Sequence, residues 1–153
     1  MNNRTLTTIL VLLSLATMGA QQTFASNRSG DDDRQVKQER ADERAERLLR
    51  SHIRHFEDDY FDVDPAKYGF DSYVEMANAY RNNPGQESLT YYLYCLGAQE
   101  GEKEAYYYIG KFYNRNYLSE DGLWRHDTEM AQAFFRRGAE LGCSRSKDEL
   151  LAE

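Results

Sequence analysis

The chain has 153 residues, with 19 Lys+Arg against 26 Asp+Glu for a net charge of −7, two cysteines and twelve tyrosines. An acidic chain repels phosphate backbones and gains nothing from an anionic lipid surface, so nucleic acid and membrane surface are excluded as expected partners. The length suits one small domain once any targeting segment is removed.

Residues 1–25 read as that targeting segment. A polar start with one cation, Arg4, is followed by the apolar run ILVLLSLATMGA over residues 9–20, and a small residue, Ala25, precedes Ser26. This is the charged, apolar, small-residue order of a secretory signal peptide, and the apolar core is shorter than the roughly 20 residues a bilayer span needs. Cleavage after Ala25 removes Arg4 and no acid, taking the cations from 19 to 18 against 26 acids, a net −8 on the exported chain. The expected location is the periplasm or the exterior, with no integral membrane segment after cleavage.

Residues 26–37 (SNRSGDDDRQVK) form a flexible lead-in, and residues 38–70 a charged helix with its linker. Between 38 and 56 the apolar residues Ala41, Ala45, Leu48, Leu49, Ile53 and Phe56 recur at helical spacing, which gives one docking stripe. Glu43 with Arg47, and Glu46 with Arg50, stand in the favourable i,i+4 order. EDDYFDVDPAKYGFDS is a linker in which Asp64 before Pro65 can open a helical turn, and Asp71 or Ser72 can cap the next helix. The acids lack the alternation and the glycine of a calcium loop.

Residues 71–153 alternate helices with short breaks: 72–81, stopped by NNPG; 87–100, ending at Gly101; 102–114; then, after a loop through LSEDGLWRHD, 128–141, ending at Gly142; and a last helix from Ser144. No stretch alternates with period two for long enough to make a strand. The domain is all-α.

One word occurs twice, GAQEG at 97–101 and GAELG at 138–142, a shift of 41 residues that also brings Leu93 and Tyr94 onto Phe134 and Phe135. Self-similarity at such a period signals stacked supersecondary units, a short α-solenoid. The terminal glycines provide left-handed caps, whereas an inner glycine costs about 1 kcal/mol relative to alanine and implies close helix approach.

FFRRGAELG, preceded by EKEAYYYIGKFY, resembles the Sel-one-like repeat, a helix–turn–helix relative of the tetratricopeptide repeat. Its small-xxx-aliphatic-Gly-xx-Tyr signature falls on Ala105, Ile109, Gly110 and Tyr113. Its Ala-xx-aromatic-Tyr-xx-small-Ala-xx-Gly signature falls on Ala131, Phe134, Phe135, Gly138, Ala139 and Gly142, with Gly97, Ala98 and Gly101 the weaker counterparts one unit earlier. The usual short turn between paired helices is replaced here by NRNYLSEDGLWRHD, which carries the single tryptophan, Trp124. The resemblance implies about two repeats with a capping helix, and a scaffold for protein–protein contact in the bacterial envelope without catalysis or cofactor of its own.

The candidate partner-binding residues are Tyr91, Tyr94, Tyr107 and Trp124, because consecutive tyrosines on a helix cannot all point inward and exposed aromatics suit a peptide groove. Two repeats are few, so a homo-oligomer would extend the core. His52 and His55, three apart and followed by Glu57, Asp58 and Asp59, are a weak candidate for zinc, set against a solvated charged face. His126, alone in the sequence, is a weak candidate for a catalytic base. The alternative function is a periplasmic enzyme or enzyme accessory acting on peptidoglycan, or a secreted host-interaction factor. Cys95 and Cys143 lie on helices expected not to be neighbours, which favours free thiols over a bridge.

Overall fold

A computed structural model describes the backbone of residues 3–60, 62–114 and 125–152, and within these ranges the side chains from Gly30 onward. The described residues form six α-helices and no strand, an all-α protein. None of these helices is long and apolar enough to cross a membrane. The side chains of the expected signal peptide, residues 1–25, and the whole of Trp124 lie outside the described residues.

The chain divides into two compact units, residues 1–39 and 40–153. The first is helical from Asn3, so helix α1 (Asn3–Glu57) runs through residues 26–37, where sequence suggested a flexible lead-in. No proline interrupts it, and a single glycine such as Gly30 weakens a helix by about 1 kcal/mol without ending it. Side chains 30–40 are all exposed, and Gln35 Nε2 donates to Glu39 Oε1 at 3.2 Å, one turn on.

In the second unit the stripe of α1 is buried at Ala45, Leu49, His52 and Phe56, a 4-3-4 spacing that fits one helix face. The opposite face carries the Glu43–Arg47 and Glu46–Arg50 pairs, both at 3.8 Å and exposed, each contributing a few tenths of a kcal/mol. Beyond α1, Asp64 accepts a hydrogen bond from Ala66 N and opens a 3-10 turn, Pro65–Tyr68, which Gly69 ends with φ +80°.

Helix α2 (Tyr73–Tyr80) starts at Ser72, whose hydroxyl accepts from Glu75 N at 3.1 Å. Its first two amides, Tyr73 N and Val74 N, donate to the two oxygens of Glu102 at 3.0 and 2.9 Å. A carboxylate borrowed from 28 residues downstream thus meets the positive end of the helix dipole. Helices α3 (Glu87–Gln99), α4 (Lys103–Asn114), α5 (Thr128–Glu140) and α6 (Ser144–Leu151) follow. Each packs on the next in sequence, and α6 also touches α4.

The twice-written word adopts one geometry twice. Glu102 N donates to Gly97 O at 2.8 Å and Gly101 N to Ala98 O at 3.1 Å; Cys143 N donates to Gly138 O at 2.9 Å and Gly142 N to Ala139 O at 3.0 Å. These 6→1 and 5→2 bonds form a Schellman cap at both places, with φ +82° at Gly101 and +91° at Gly142. The inner glycines differ. A Cβ on Gly97 would sit 3.4 Å from Ala105 Cβ, an ordinary contact, whereas one on Gly138 would lie 2.4 Å from Ser146 Oγ. Gly110 is equally tight against a ring, where a Cβ would lie 2.4 Å from Phe135 Cε1, and sets the approach of α4 to α5.

The long connection between α4 and α5 returns to where it left, because Asp127 N donates to Tyr113 O at 3.0 Å. Asp127 then caps α5 through Oδ1, which accepts from Met130 N at 3.0 Å, while its Oδ2 accepts from Arg44 of α1 at 3.0 Å. Arg136 on α5 donates to Asp42 Oδ1 through Nε at 3.1 Å and Nη2 at 2.6 Å. Residues 40–57 of α1 are therefore fastened to α5 by ion pairs at one end. At the other they meet α3 through rings, with Phe56 edge-on to Tyr91 at 6.4 Å between centroids.

Candidate functional site

A cavity of about 280 Å³ opens between the C-terminal end of α2, the first half of α3 and the face of α4. Its walls are aromatic because α4 presents Tyr107, Tyr108 and Phe112 on neighbouring positions, and Tyr94 of α3 stacks on Tyr108 at 4.5 Å with the planes only 14° apart. Tyr94 is fixed from behind by its phenol, which donates to Asn78 Oδ1 at 2.9 Å, and burial pushes that phenol's pKa up. The stacked pair is a rigid wall of the site.

Three cations gather around these rings in a chain that is acidic overall. Arg81, at the end of α2, holds its guanidinium carbon 5.6 Å from the centre of the Tyr108 ring. Lys111 lines the cavity and donates to Glu149 Oε1 at 2.8 Å. Arg145 of α6 lies 5.0 and 5.1 Å from the Tyr107 and Tyr108 ring centres and donates to Tyr108 Oη at 2.8 Å, the bond that raises its own pKa. Cations over aromatic faces are held by the ring quadrupole, which orders long side chains that solvent would otherwise leave loose. Glu87 is the acidic side chain of the lining, and Thr90, buried beside it, has a hydroxyl without a hydrogen-bond partner among the described residues.

Of the four residues expected to meet a partner, Tyr107 and Tyr94 line this cavity, Tyr107 half-buried but Tyr94 only 1% exposed, a correction to its expected exposure, because its ring is spent on the stack with Tyr108. Tyr91 does not. It is 0% exposed, because α1 closes over it: His52 Nδ1 and Tyr91 Oη share a hydrogen bond of 2.8 Å, and Tyr91 Oη lies 3.2 Å from Tyr113 Oη. The expectation of a groove through Tyr91 is corrected by that docking, which spends the ring on the core. Trp124 is outside the described residues. Arg81, Lys111, Arg145 and Thr90 were not singled out from sequence. Arg81 and Lys111 stand near helix C-termini and read first as dipole partners, Arg145 stands in the first turn of α6, and only the fold brings the three to one set of rings.

The histidines separate. His52 is inside, and burial first, then the neighbouring charge of His55, lowers its pKa to about 4. His55 is exposed, its ring edge-on to Phe56 at 5.1 Å. The two therefore do not converge on one metal ion, and among the described residues no group of three or more His, Cys, Asp or Glu is placed to hold one. His126 is exposed before α5, its Nε2 3.3 Å from Thr128 Oγ1. Cys95 and Cys143 are both buried free thiols.

The positions of the repeated signature have distinct tasks. Ala98, Ala105 and Ala131 are buried small residues of the helix interfaces, and Phe134 stacks on Tyr113 at 5.6 Å. Ala139 supplies a carbonyl to the second Schellman cap. Comparison with family models, with curated proteins and with solved structures returns no match to this chain.

Proposed function

We propose that the chain is an exported, non-catalytic interaction module of the bacterial envelope that grips a peptide segment of a partner protein at the Tyr107 cavity. The observation that carries this reading is the cavity itself. A preformed pocket of about 280 Å³, walled by stacked tyrosines and edged by ring-held cations, sits at the low end of ligand-site volumes and suits one or two side chains of a peptide. Its groups are arranged to hold, by stacking and charge, with a rigid scaffold behind them.

In this reading α2 with α3, and α4 with α5, are two Sel-one-like units, and α6 is the cap. Support comes from the recurrence of the Schellman geometry 41 residues apart and from each helix packing on its successor in sequence. Residues 1–25 would be the export signal.

The test is photo-crosslinking from the bacterial envelope, with the mature chain carrying a photoreactive group at Tyr107 or, as control, at exposed Gln38. Specific capture of one protein from Tyr107 alone supports the reading. Equal labelling from both positions, or none, overturns it.

A further inference from the structure

We infer that residues 40–57 of α1 are a strap released by acid: protonation of His52 undocks them as a unit and uncovers Tyr91, while α2–α6 stay packed on one another. This regulation does not rest on the Tyr107 cavity.

The way the strap is held is the first ground. Backbones come close between α2 and α3, α3 and α4, α4 and α5, α5 and α6, and α4 and α6, and α1 is not among these pairings. It docks through side chains instead. At its start Arg44 meets Asp127, Asp42 meets Arg136, and Glu46 stands 3.8 Å from Arg137, ion pairs at or near the surface that hold weakly. At its end Phe56 packs on Tyr91 and Tyr92, at 6.4 and 5.8 Å between ring centroids. Between the two lies the buried stripe, in which His52 is the polar member. The helices beneath are joined without α1: Tyr94 stacks on Tyr108, tying α3 to α4, and Tyr113 on Phe134, tying α4 to α5. A segment docked so lightly opens before the body it covers.

Charge is the second ground. His52 Nδ1 and Tyr91 Oη share their 2.8 Å bond, and Tyr91 Oη lies 3.2 Å from Tyr113 Oη. Once protonated, Nδ1 can only donate. Tyr91 can then turn its own proton to Tyr113, so the bond survives and the charge is what finds no place. On its own helix His52 is faced by His55, whose charge repels it. From α3 it meets the Tyr91 phenol with the Cys95 thiol behind, and from α4 the Tyr113 phenol. Burial pushes all three up, so they stay neutral in acid and lend no negative charge. Asp127, before α5, reaches only the Tyr113 end and is paired there with Arg44.

Burial, then the charge of His55, holds the docked imidazole at a pKa of about 4, against the ordinary 6.5 once it is free. The docked strap therefore loses its advantage as pH falls from 6.5 towards 4. Between pH 7 and pH 5 the ratio of undocked to docked strap rises about twentyfold.

Hydrogen-exchange mass spectrometry of the mature chain at pH 7 and pH 5, with times scaled for the intrinsic exchange rate, tests the strap. The expected result is about a twentyfold loss of protection over residues 45–57, with residues 103–114 and 128–140 unchanged. In His52→Asn, whose side chain stays polar and takes up no proton, the strap should keep its protection at pH 5. Equal loss over all the helices would show the domain opening as a whole and overturns the strap. Equal loss in His52→Asn would assign the effect to the carboxylates and overturns the role of His52, as does no loss in the natural chain. Should the variant fail to fold, the His52 ring proton in NMR decides. It must titrate over the pH interval in which the strap opens, and opening without that titration overturns the proposal.

Discussion

His52 Nδ1 and Tyr91 Oη lie 2.8 Å apart at the junction of α1 and α3, a contact spanning 39 residues of sequence. With Tyr113 Oη a further 3.2 Å on, it forms a polar chain inside an otherwise apolar interface. Such a chain is favourable only while the imidazole is neutral, because among the described residues a buried imidazolium finds no carboxylate to offset its desolvation.

Stability should therefore depend on pH through His52. Its folded pKa of about 4 lies below the ordinary 6.5, so between these values the unfolded chain binds the proton and the native chain does not. Stability is complete above pH 6.5 and declines as pH falls towards 4, by on the order of 3 kcal/mol for this group. Urea unfolding of the mature chain at pH 7 and pH 4.5 measures it. His52→Asn should lose markedly less stability between the two; an equal loss in both proteins would show that the imidazole is not the titrating group.

The three inner glycines should respond differently to one methyl group. Gly97→Ala meets only an ordinary contact and gains helix propensity, so it should be neutral or stabilising by up to about 1 kcal/mol. Gly110→Ala drives the methyl into the Phe135 ring and Gly138→Ala drives it into buried Ser146, each costing about 1–3 kcal/mol despite the same propensity gain. Thermal melts of the three variants give the order, and a destabilised Gly97→Ala would contradict it.

Asp127 serves two helices at once, and the two tasks separate by substitution. Asp127→Ser keeps a capping oxygen for Met130 N and gives up Arg44, an exposed pair worth at most about 1 kcal/mol. Asp127→Ala loses both and should cost about 1–2 kcal/mol in total. A double-mutant cycle with Arg44→Ala assigns the difference, and a serine variant as weak as alanine would mean that the cap contributes nothing.

The two thiols should be inert in the folded protein. Burial pushes the Cys95 thiol up, away from the reactive thiolate, and Cys143 is buried too. Mass spectrometry after iodoacetamide at neutral pH should find no adduct on the native chain and two on the denatured one. A native adduct on Cys95 would mean that the α3 face opens readily.

Helix ends were legible wherever a local rule decides them. Gly101 and Gly142 end α3 and α5 as expected because a left-handed cap is a property of five or six consecutive residues. The all-α class followed from periodicity in the same way. The site was less legible, since its parts lie on different helices. Nothing near YYLYC says which tyrosine faces α1, because that depends on Asp42 meeting Arg136 across 94 residues. Tyr107 was grouped with Tyr91 and Tyr94 by one rule, and of the three it alone stays half-buried, packed against the core from outside. Arg81 was not legible, since a lone arginine before NNPG looks like any helix end until Tyr108 is placed beneath it. His52 could have been found, as the 4-3-4 spacing of Ala45, Leu49 and Phe56 puts it on the buried face despite its polarity.

The bond from Asp127 N to Tyr113 O ties the two ends of the α4–α5 connection into a single knot at the rim of the helices. Because the tie is made of backbone alone, it should survive any substitution at Tyr113 and every one at Asp127 except proline, which has no N–H to give. The end of α4 and the start of α5 thus stay clasped whichever side chains stand there.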